Sequence, residues 1–429
     1  MNKIVKNASW LIACKVAETI FMLVVTMLQA RIFGPIKFGL IAYAQSIVTV
    51  IVPLMQLGLN SILIRELVDH KDEEGVVMGS SITMAMIAAP VAILLVLAFT
   101  AIVNGGSTET IIVCGLYSSL LIFQVFELLQ YWFLAHYMSK YTALTCFGAY
   151  VVASIYRLLV LFINKSVYLY ALSQAIYYLV IALVLLYFYK KLGGQKFKFD
   201  KSVAARLFDK SKFFLISSLA VTLYTQVDRV LLKNICGDEI NGYYVAAITI
   251  VNMATFIFTA IIDSTQPDLI DKNSKDKKLF DEGMTRLYSV VIYLALLMCI
   301  VVDILAPFII KIMYGADYLP SISLLRIVVW YGLFSFIGIA RNVYIIAKNK
   351  QKYIWIISVL GAIFSILINY VLINSFGATG AALGAILVQI FVNVILGFVI
   401  KPIRKNNALM FKALNPNIIK QMVLSYIKH

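Results

Sequence analysis

The sequence predicts an all-α integral membrane protein with twelve transmembrane helices in two six-helix lobes. Hydrophobic residues occupy 62% of the 429 positions and charged residues only 14%, well below the quarter that is typical of soluble domains. A membrane-spanning helix needs about 20 mainly apolar residues, so this composition accommodates about twelve spans and no large soluble domain. The apolar runs are continuous and do not alternate with polar residues, which excludes a transmembrane β-barrel.

Twelve apolar runs, separated by short polar loops, define the predicted spans, numbered one to twelve in chain order. In lipid, the backbone polar groups of each run must be satisfied within the run, which a helix achieves. The spans are expected at 9–30, 39–63, 78–103, 111–134, 142–163, 168–189, 213–233, 242–264, 287–310, 322–346, 353–374 and 378–400.

The distribution of basic residues predicts the orientation of the chain in the membrane. There are 37 Lys and Arg residues against 21 Asp and Glu residues, a formal charge of +16. Of the basic residues, 27 fall in loops on the side of the termini, 5 in the opposite loops, if Lys233 at the very end of span seven is counted there, and 5 within spans. Basic loops remain in the cytoplasm, so both termini are expected to be cytoplasmic. The excess charge therefore indicates topology and not a nucleic-acid partner.

An internal repeat predicts the two lobes. The segment Ile32–Gly39 recurs as Ile235–Gly242, at an offset of 203 residues. Because each half holds an even number of spans, the two halves have the same orientation, an arrangement in which carriers commonly bind substrate between lobes and work by alternating access. The lobes are expected at 1–200 and 201–400. The basic cytoplasmic tail at 401–429 has the apolar spacing of an interfacial helix.

Five basic residues inside predicted spans are expected to line a cationic substrate path. An ionisable side chain in mid-membrane costs about 2.5–3.5 kcal/mol on insertion scales and therefore normally faces protein or water. The planar guanidinium group of arginine matches phosphate oxygens. The alternatives are a structural ion pair and, above all for Arg326, snorkelling to the lipid headgroups. The five residues are Lys15, Arg157, Arg229, Arg326 and Arg341.

Acidic and amide side chains within the spans complete the predicted site. Three amides are candidates for sugar contacts, although amides in membranes also join helices by hydrogen bonds; they are Gln29, Gln124 and Asn369. Four acids are candidates for ion or proton sites or for counter-ions to the arginines, namely Glu18, Glu127, Asp228 and Asp303. Glu18 follows Lys15 by three residues on one polar stripe of span one, so these two side chains can pair.

No catalytic motif, nucleotide-binding loop or metal-ligand cluster is recognisable. The five cysteines are widely spaced and the three histidines are scattered, so the sequence predicts neither a disulfide framework nor a metal site. We expect no cofactor. Transport would then be driven by a gradient of H⁺ or Na⁺ or by the substrate gradient itself.

A series of short motifs follows the twelve spans in order. They are Ala30–Gly39, Gln56–Asn60, Arg65–Leu67, Ser217–Leu232, Gly237–Tyr243, Tyr314–Tyr318, Leu325–Arg326 and Gly377–Gly384. This series resembles the Wzx-type polysaccharide flippases of the MOP exporter superfamily. Gln56 stands where many members of that family carry an acidic residue, so no carboxylate role is transferred to this position.

The resemblance implies a MATE-like fold and a function. The substrate would be an undecaprenyl-diphosphate-linked oligosaccharide repeat unit, moved across the bacterial cytoplasmic (inner) membrane for the synthesis of a surface polysaccharide such as O-antigen or capsule. The implied partners are membrane lipids, a polysaccharide polymerase and a chain-length regulator, and the flippase itself would be a monomer.

Two other functions remain open at the level of the sequence. An ion-coupled multidrug or cation antiporter of the same superfamily would favour an acidic, aromatic cavity, and the basic excess within the spans argues against it. An integral-membrane polysaccharide polymerase or acyltransferase would require a large loop with catalytic residues, whereas the loops between these spans are short.

Overall fold

The computed structural model describes the backbone of residues 3–420, and the side chains of Thr19 and of residues 21–420. This part of the chain consists of helices joined by turns and loops and has no β-strand, which confirms the all-α prediction. Ten of its helical segments are long and apolar enough to cross a membrane.

The chain folds into two compact units. The first comprises Met1–Gln226 and Gly237–Gly242, and the second comprises Val227–Cys236 and Tyr243–His429. The lobe boundaries at residues 200 and 400 stay predictions.

Sixteen α-helices lie within the described backbone. Ten of them begin in the first unit: α1 (Lys3–Gln56), α2 (Leu63–Asp69), α3 (Glu74–Asn104), α4 (Thr108–Ser118), α5 (Leu120–Gln124), α6 (Leu129–Ala135), α7 (Ser139–Leu159), α8 (Val167–Ala171), α9 (Ser173–Lys191) and α10 (Lys201–Cys236). The last of these, α10, continues into the second unit. The remaining helices are α11 (Asp238–Lys275), α12 (Lys277–Met313), α13 (Ser321–Ala347), α14 (Lys352–Ile390), α15 (Leu396–Val399) and α16 (Arg404–Lys412). The predicted tail helix lies largely outside the described residues.

Two long helices are each interrupted by one glycine. Gly34 in α1 has φ of 71° and Gly377 in α14 has φ of 56°, a left-handed conformation that glycine adopts readily and other residues avoid. The pattern of apolar runs predicts loops at these two positions, whereas the chain passes from one helix directly into the next through a single residue. Dividing both helices there gives twelve segments, but the number of membrane crossings stays a prediction.

The fourth predicted span is not a regular helix. It is divided into α4, α5 and α6, and a 3₁₀ segment, Val125–Leu128, lies between the last two. The tighter 3₁₀ turn has weaker hydrogen-bond geometry, and within a longer helix it often marks a hinge. This segment carries Glu127, so one of the predicted acidic residues lies on an irregular part of the backbone.

The basic loop predicted between spans six and seven is partly helix and partly a docked strap. α10 begins within it, and residues 192–200, the strap, lie along the start of α3. Gly75 donates its backbone N–H to Gln195 Oε1 at 2.9 Å, and its carbonyl accepts from the backbone N–H of Lys198 at 3.1 Å. The connection between the sixth and seventh spans is therefore fixed to the first unit.

A buried carboxylate holds the start of α10 against α2. Glu66 is only 2% exposed, and its oxygens lie 2.5 Å from Lys210 Nζ and 3.5 Å from Arg206 Nε. The Nδ1 atom of His70 lies 3.7 Å from Glu66 Oε2. A buried carboxylate is tolerated only when it is paired, so these groups form a fixed joint between the two helices.

The two copies of the internal repeat pack against each other within the first unit. Asn241 donates its side-chain N–H to the carbonyl of Gly39 at 2.9 Å. A Cβ atom on Gly39 would overlap the backbone of Asp238, and one on Gly242 would overlap the backbone of Pro35. The duplicated glycines therefore permit a backbone approach that any other residue would prevent.

Candidate functional site

The first unit contains a polar but uncharged cavity of about 470 Å³. Most of its lining side chains carry amide or hydroxyl groups, and two are tyrosines. The lining residues are Gln45, Val48, Thr49, Val52, Pro53, Gln56, Asn60, Tyr117, Leu120, Gln124, Gln174, Tyr178, Ser217, Ser218, Val221 and Thr222. Such a surface offers many hydrogen-bond donors and acceptors without a net charge.

Helical periodicity places these side chains on common faces. In α1, Gln45, Thr49 and Gln56 are separated by four and seven residues, a spacing that puts them on one side of a helix. In α10, Ser218 and Thr222 are four residues apart and share a face in the same way. The cavity is therefore formed by polar stripes on otherwise apolar helices. These two stripes were not predicted from the sequence, in which a polar stripe was recognised only in span one.

Gln124 is the predicted sugar-contact residue that lines the cavity. Its Nε2 atom donates to the hydroxyl of Tyr178 at 3.1 Å and to Glu127 Oε2 at 3.3 Å. The side chain is 6% exposed. Its Oε1 atom is buried and has no hydrogen-bond partner among the described residues. The structure thus brings together two predicted site residues: Gln124 lines the cavity, and Glu127, which is not part of the lining, accepts a hydrogen bond from it.

Arg157 is buried in the first unit, and the cavity lining does not include it. The side chain is 7% exposed, its Nε donates to Ser173 Oγ at 3.0 Å, and its guanidinium carbon lies 5.7 Å from the centre of the Tyr150 ring. That ring contact is within the range of a cation–π interaction. Burial of Arg157 agrees with the sequence, while the role in a substrate path stays a prediction.

Arg341 is the buried arginine of α13. It is 6% exposed and its Nη1 donates to the carbonyl of Val392 at 2.6 Å. Val392 belongs to a π-helical segment, Phe391–Ile395, in which the regular α-helical hydrogen bonding is interrupted. The guanidinium therefore satisfies a carbonyl on a neighbouring helix of the same unit, and its contact with substrate stays a prediction.

Asp228 and Arg229 lie on α10 in the second unit. Asp228 is 5% exposed, and one of its oxygens accepts a hydrogen bond from the hydroxyl of Tyr244. The other oxygen accepts from the backbone N–H of Arg229 at 2.9 Å. The carboxylate is thus held by a tyrosine of the next helix. The proposed ion-binding role of Asp228 is not tested by this arrangement.

The other predicted site residues have separate surroundings. Arg326 is exposed, and its Nε lies 3.4 Å from the backbone carbonyl of Asp303, so this contact does not use the carboxylate. Gln29 accepts from the hydroxyl of Tyr170 at 2.9 Å. The remaining amide, Asn369, donates to a carbonyl of its own helix at 2.9 Å.

Two residues predicted from the polar stripe of span one cannot be placed. The side chains of Lys15 and Glu18 lie outside the described residues. Among the predicted basic residues whose side chains are described, none belongs to the lining of the first-unit cavity.

The ten long apolar helices of the described residues are those of a multi-pass membrane protein. The chain belongs to the polysaccharide biosynthesis protein family, whose pattern matches residues 4–271. This match confirms the resemblance seen in the sequence motifs and, together with the apolar helices, indicates a multi-pass protein of the cytoplasmic membrane. No curated protein sequence matches the chain significantly.

Several solved structures share the fold at low sequence identity. The lipid II flippase MurJ in an inward closed conformation has a TM-score of 0.71 and 18% identity, and the match covers 94% of this chain and 90% of that one. The eukaryotic MATE transporter AtDTX14 has a TM-score of 0.66 and 10% identity, over 96% and 100% of the two chains.

A third similar structure is a MOP superfamily transporter from Pyrococcus furiosus. Its TM-score is 0.61 at 12% identity, and the match covers 95% of this chain and 96% of that one. At these identities the likeness establishes the fold alone, which is the MATE-like fold predicted from the sequence.

Proposed function

We propose that this protein moves undecaprenyl-diphosphate-linked oligosaccharide units across the cytoplasmic membrane by alternating access, for the synthesis of a surface polysaccharide. The family membership supports a role in polysaccharide biosynthesis. The observation that carries the proposal is the uncharged cavity of the first unit, rich in amides, hydroxyls and tyrosines. Sugars present hydroxyl groups and weakly apolar ring faces, and this combination of side chains complements both.

The diphosphate requires partners other than this cavity. An unpaired phosphate is costly to remove from water, and arginine forms the strongest bidentate contacts with phosphate oxygens. In our proposal the basic residues within the spans, above all Arg157 and Arg341, provide this contact during transport, while the polyprenyl chain remains in lipid. H⁺ or Na⁺ would be the coupling ion, and the polymerase and chain-length regulator would act on the exported unit.

The composition of the cavity argues against a carrier of cationic drugs. A buried organic cation needs a carboxylate or an equivalent partner to offset its lost hydration. The lining of the first-unit cavity contains no acidic side chain among the residues that the structure describes.

Deletion and complementation test the proposed function. A strain without this gene should lose its surface polysaccharide and recover it with the wild-type chain. The double variant Gln45→Leu/Gln174→Leu should restore about a tenth or less of the wild-type polysaccharide, because each lost hydrogen bond contributes about 0.5–1.5 kcal/mol. The matched control is Gln351→Leu, at an exposed glutamine outside the cavity. Normal surface polysaccharide in the deletion strain would contradict the proposal.

A further inference from the structure

We propose that the second unit binds the phosphate group of an anionic membrane lipid at four lysines, where α12 and α16 begin and α13 ends. The four residues, which we name the lysine corner, are Lys277, Lys348, Lys350 and Lys405. Three features support the proposal: the way in which the side chains are held, their excess of positive charge, and their position beside two predicted spans. The inference goes beyond the proposed function, because it does not depend on which molecule is transported.

The first feature is that uncharged groups hold two of the lysines in place. Lys348 Nζ donates to Asn273 Oδ1 at 2.5 Å and lies 4.3 Å from the centre of the Phe280 ring, within the range of a cation–π interaction. Lys350 Nζ donates to the backbone carbonyl of Pro402. An ammonium group has three N–H donors. Both lysines therefore keep donors and their charge for an anionic ligand.

The second feature is an excess of positive charge. Asp281 is the one carboxylate among the described charged groups that act on Lys348, and the other groups are the three remaining lysines of the corner. Lys405 Nζ lies 2.5 Å from Asp281 Oδ2. Burial lowers the pKa of Lys348, and the neighbouring ammonium groups lower it further against the opposing effect of Asp281. Like charges held this close repel one another, so an anion bound among them would relieve the repulsion.

The third feature is the position of the corner along the predicted spans. Lys348 and Lys350 lie between the spans predicted at 322–346 and 353–374, on the side of the basic loops. Trp355, in the first turn of α14, is 40% exposed, and tryptophan is typical of the level at which lipid headgroups lie. Basic pockets between membrane helices on the cytoplasmic side bind phosphate-bearing headgroups. This position therefore favours a lipid over a free phosphate.

Native mass spectrometry of the full-length protein in neutral detergent tests the site. We expect phosphatidylglycerol to bind roughly tenfold more tightly than phosphatidylcholine, whose headgroup has no net charge, because each lysine near a headgroup contributes about fivefold. Lys348→Gln/Lys350→Gln should weaken the binding of phosphatidylglycerol about tenfold or more. Lys348→Arg/Lys350→Arg keeps both charges and should bind as the wild type does. Equal affinity of the wild type for the two lipids, or binding that arginine does not restore, would overturn the proposal.

The matched control removes two lysines from another helix of the same unit. Lys272→Gln/Lys275→Gln takes the same charge from α11, where each lysine pairs at 2.6 Å with an acid of its own helix, Asp268 or Asp271. Exposed pairs of this kind contribute little, so the affinity for phosphatidylglycerol should change by less than about twofold. An equal loss in both glutamine double variants would indicate attraction to the net charge of the protein and would overturn the site.

A single substitution keeps the test independent of buried packing. Lys277 and Lys278 are adjacent and exposed at the start of α12, but only Lys277 is among the groups that act on Lys348. Lys277→Gln should therefore weaken the binding of phosphatidylglycerol about fivefold, and Lys278→Gln should leave it nearly unchanged. Equal effects of the two substitutions would contradict the assignment.

The source of the phosphate is tested by competition in the same measurement. Ammonium pyrophosphate added in excess should leave phosphatidylglycerol bound to the wild-type protein, because the acyl chains of the lipid contribute to its binding as well. Displacement of the lipid by pyrophosphate would assign the lysine corner to a free phosphate and overturn the proposal of a lipid site.

Discussion

Glu66 shows how one residue fixes the position of a whole helix. Its carboxylate is buried, yet both partners, Arg206 and Lys210, remain partly exposed, with 32% and 48% of their side chains accessible. Water therefore screens the cations more than the anion. The contribution of these contacts arises largely from giving a buried carboxylate nearby cations rather than from the attraction of two exposed charges.

Replacement of the Glu66 carboxylate should destabilise the first unit. Glu66→Gln removes the charge but keeps the size, and we expect a loss of about 1–3 kcal/mol in the free energy of unfolding, because the charge-assisted hydrogen bond from Lys210 is weakened. Thermal unfolding in detergent measures it. The control is Asp209→Asn, which breaks an exposed ion pair with Lys212 and should change stability by less than about 1 kcal/mol. Equal effects of both variants would contradict this account.

The arginines and the cavity glutamines show how far the sequence leads at the scale of single residues. The cost of a charge in lipid predicts that Arg157 and Arg341 are buried, and both are. It does not predict their partners, a serine hydroxyl and a backbone carbonyl, because these depend on how particular helices pack. Apart from Gln124, the cavity residues were not predicted, because glutamines such as Gln45 and Gln56 resemble the amides that join helices in any membrane protein.

Among the elements, two features depend most strongly on glycine. They are the helix interruptions at Gly34 and Gly377 and the repeat junction, the contact between the two repeat copies at Gly39 and Gly242. The sequence marks Gly39 and Gly242 as equivalent positions in a repeat, but it gives no sign that the two copies touch. The structure supplies the reason for both glycines, since each lies against the backbone of the other copy. The apolar runs predict the helices well, whereas the direct passage through Gly34 and Gly377 depends on a backbone angle that no apolar pattern encodes.

The repeat junction should not accept a methyl group. In Gly39→Ala the new Cβ meets backbone atoms, which cannot move aside as a flexible side chain can. We expect a loss of about 1–3 kcal/mol in the free energy of unfolding, the usual effect of overpacking. A lower unfolding temperature and a lower yield of folded protein would show this loss. Gly148→Ala is the control, because a Cβ there meets no atom within 4 Å and alanine favours a helix by about 0.5–1 kcal/mol. A Gly39→Ala protein as stable as the wild type would contradict the close approach.

The start of α10 should depend on pH through its capping residue. Hydrogen bonds from the Ser202 hydroxyl and from the backbone N–H groups of Val203 and Ser202 lower the pKa of Asp200 below its usual range. This stabilisation is present above the pKa of the unfolded chain and is lost as the pH falls through the lower folded value. Hydrogen exchange in the first turn of α10, corrected for intrinsic rates, should therefore increase on acidification. In Asp200→Asn it should remain constant over the same range, and an acid-dependent increase in that variant would refute the assignment.

At the scale of the whole molecule, the sequence predicts the fold from its apolar runs and the orientation in the membrane from its basic residues. Composition and apolar runs suffice for an all-α membrane protein, because lipid leaves few other ways to satisfy the backbone. The family match confirms the class that the motifs indicate. The cytoplasmic position of the termini still rests on the bias of basic residues. The particular sugar depends on the shape of the cavity and on scattered polar groups, which no short motif specifies.

The most direct test of the central claim measures the rate at which a lipid-linked oligosaccharide crosses a vesicle membrane. The purified chain is reconstituted into vesicles that contain an undecaprenyl-diphosphate-linked oligosaccharide, and a membrane-impermeant glycosidase outside the vesicles reports the sugar that becomes accessible. We predict that the wild-type chain exposes sugar from the inner leaflet at a rate well above that of protein-free vesicles, and that Gln45→Leu/Gln174→Leu lowers this rate about tenfold or more. Equal rates with and without the wild-type chain would contradict the proposed transport.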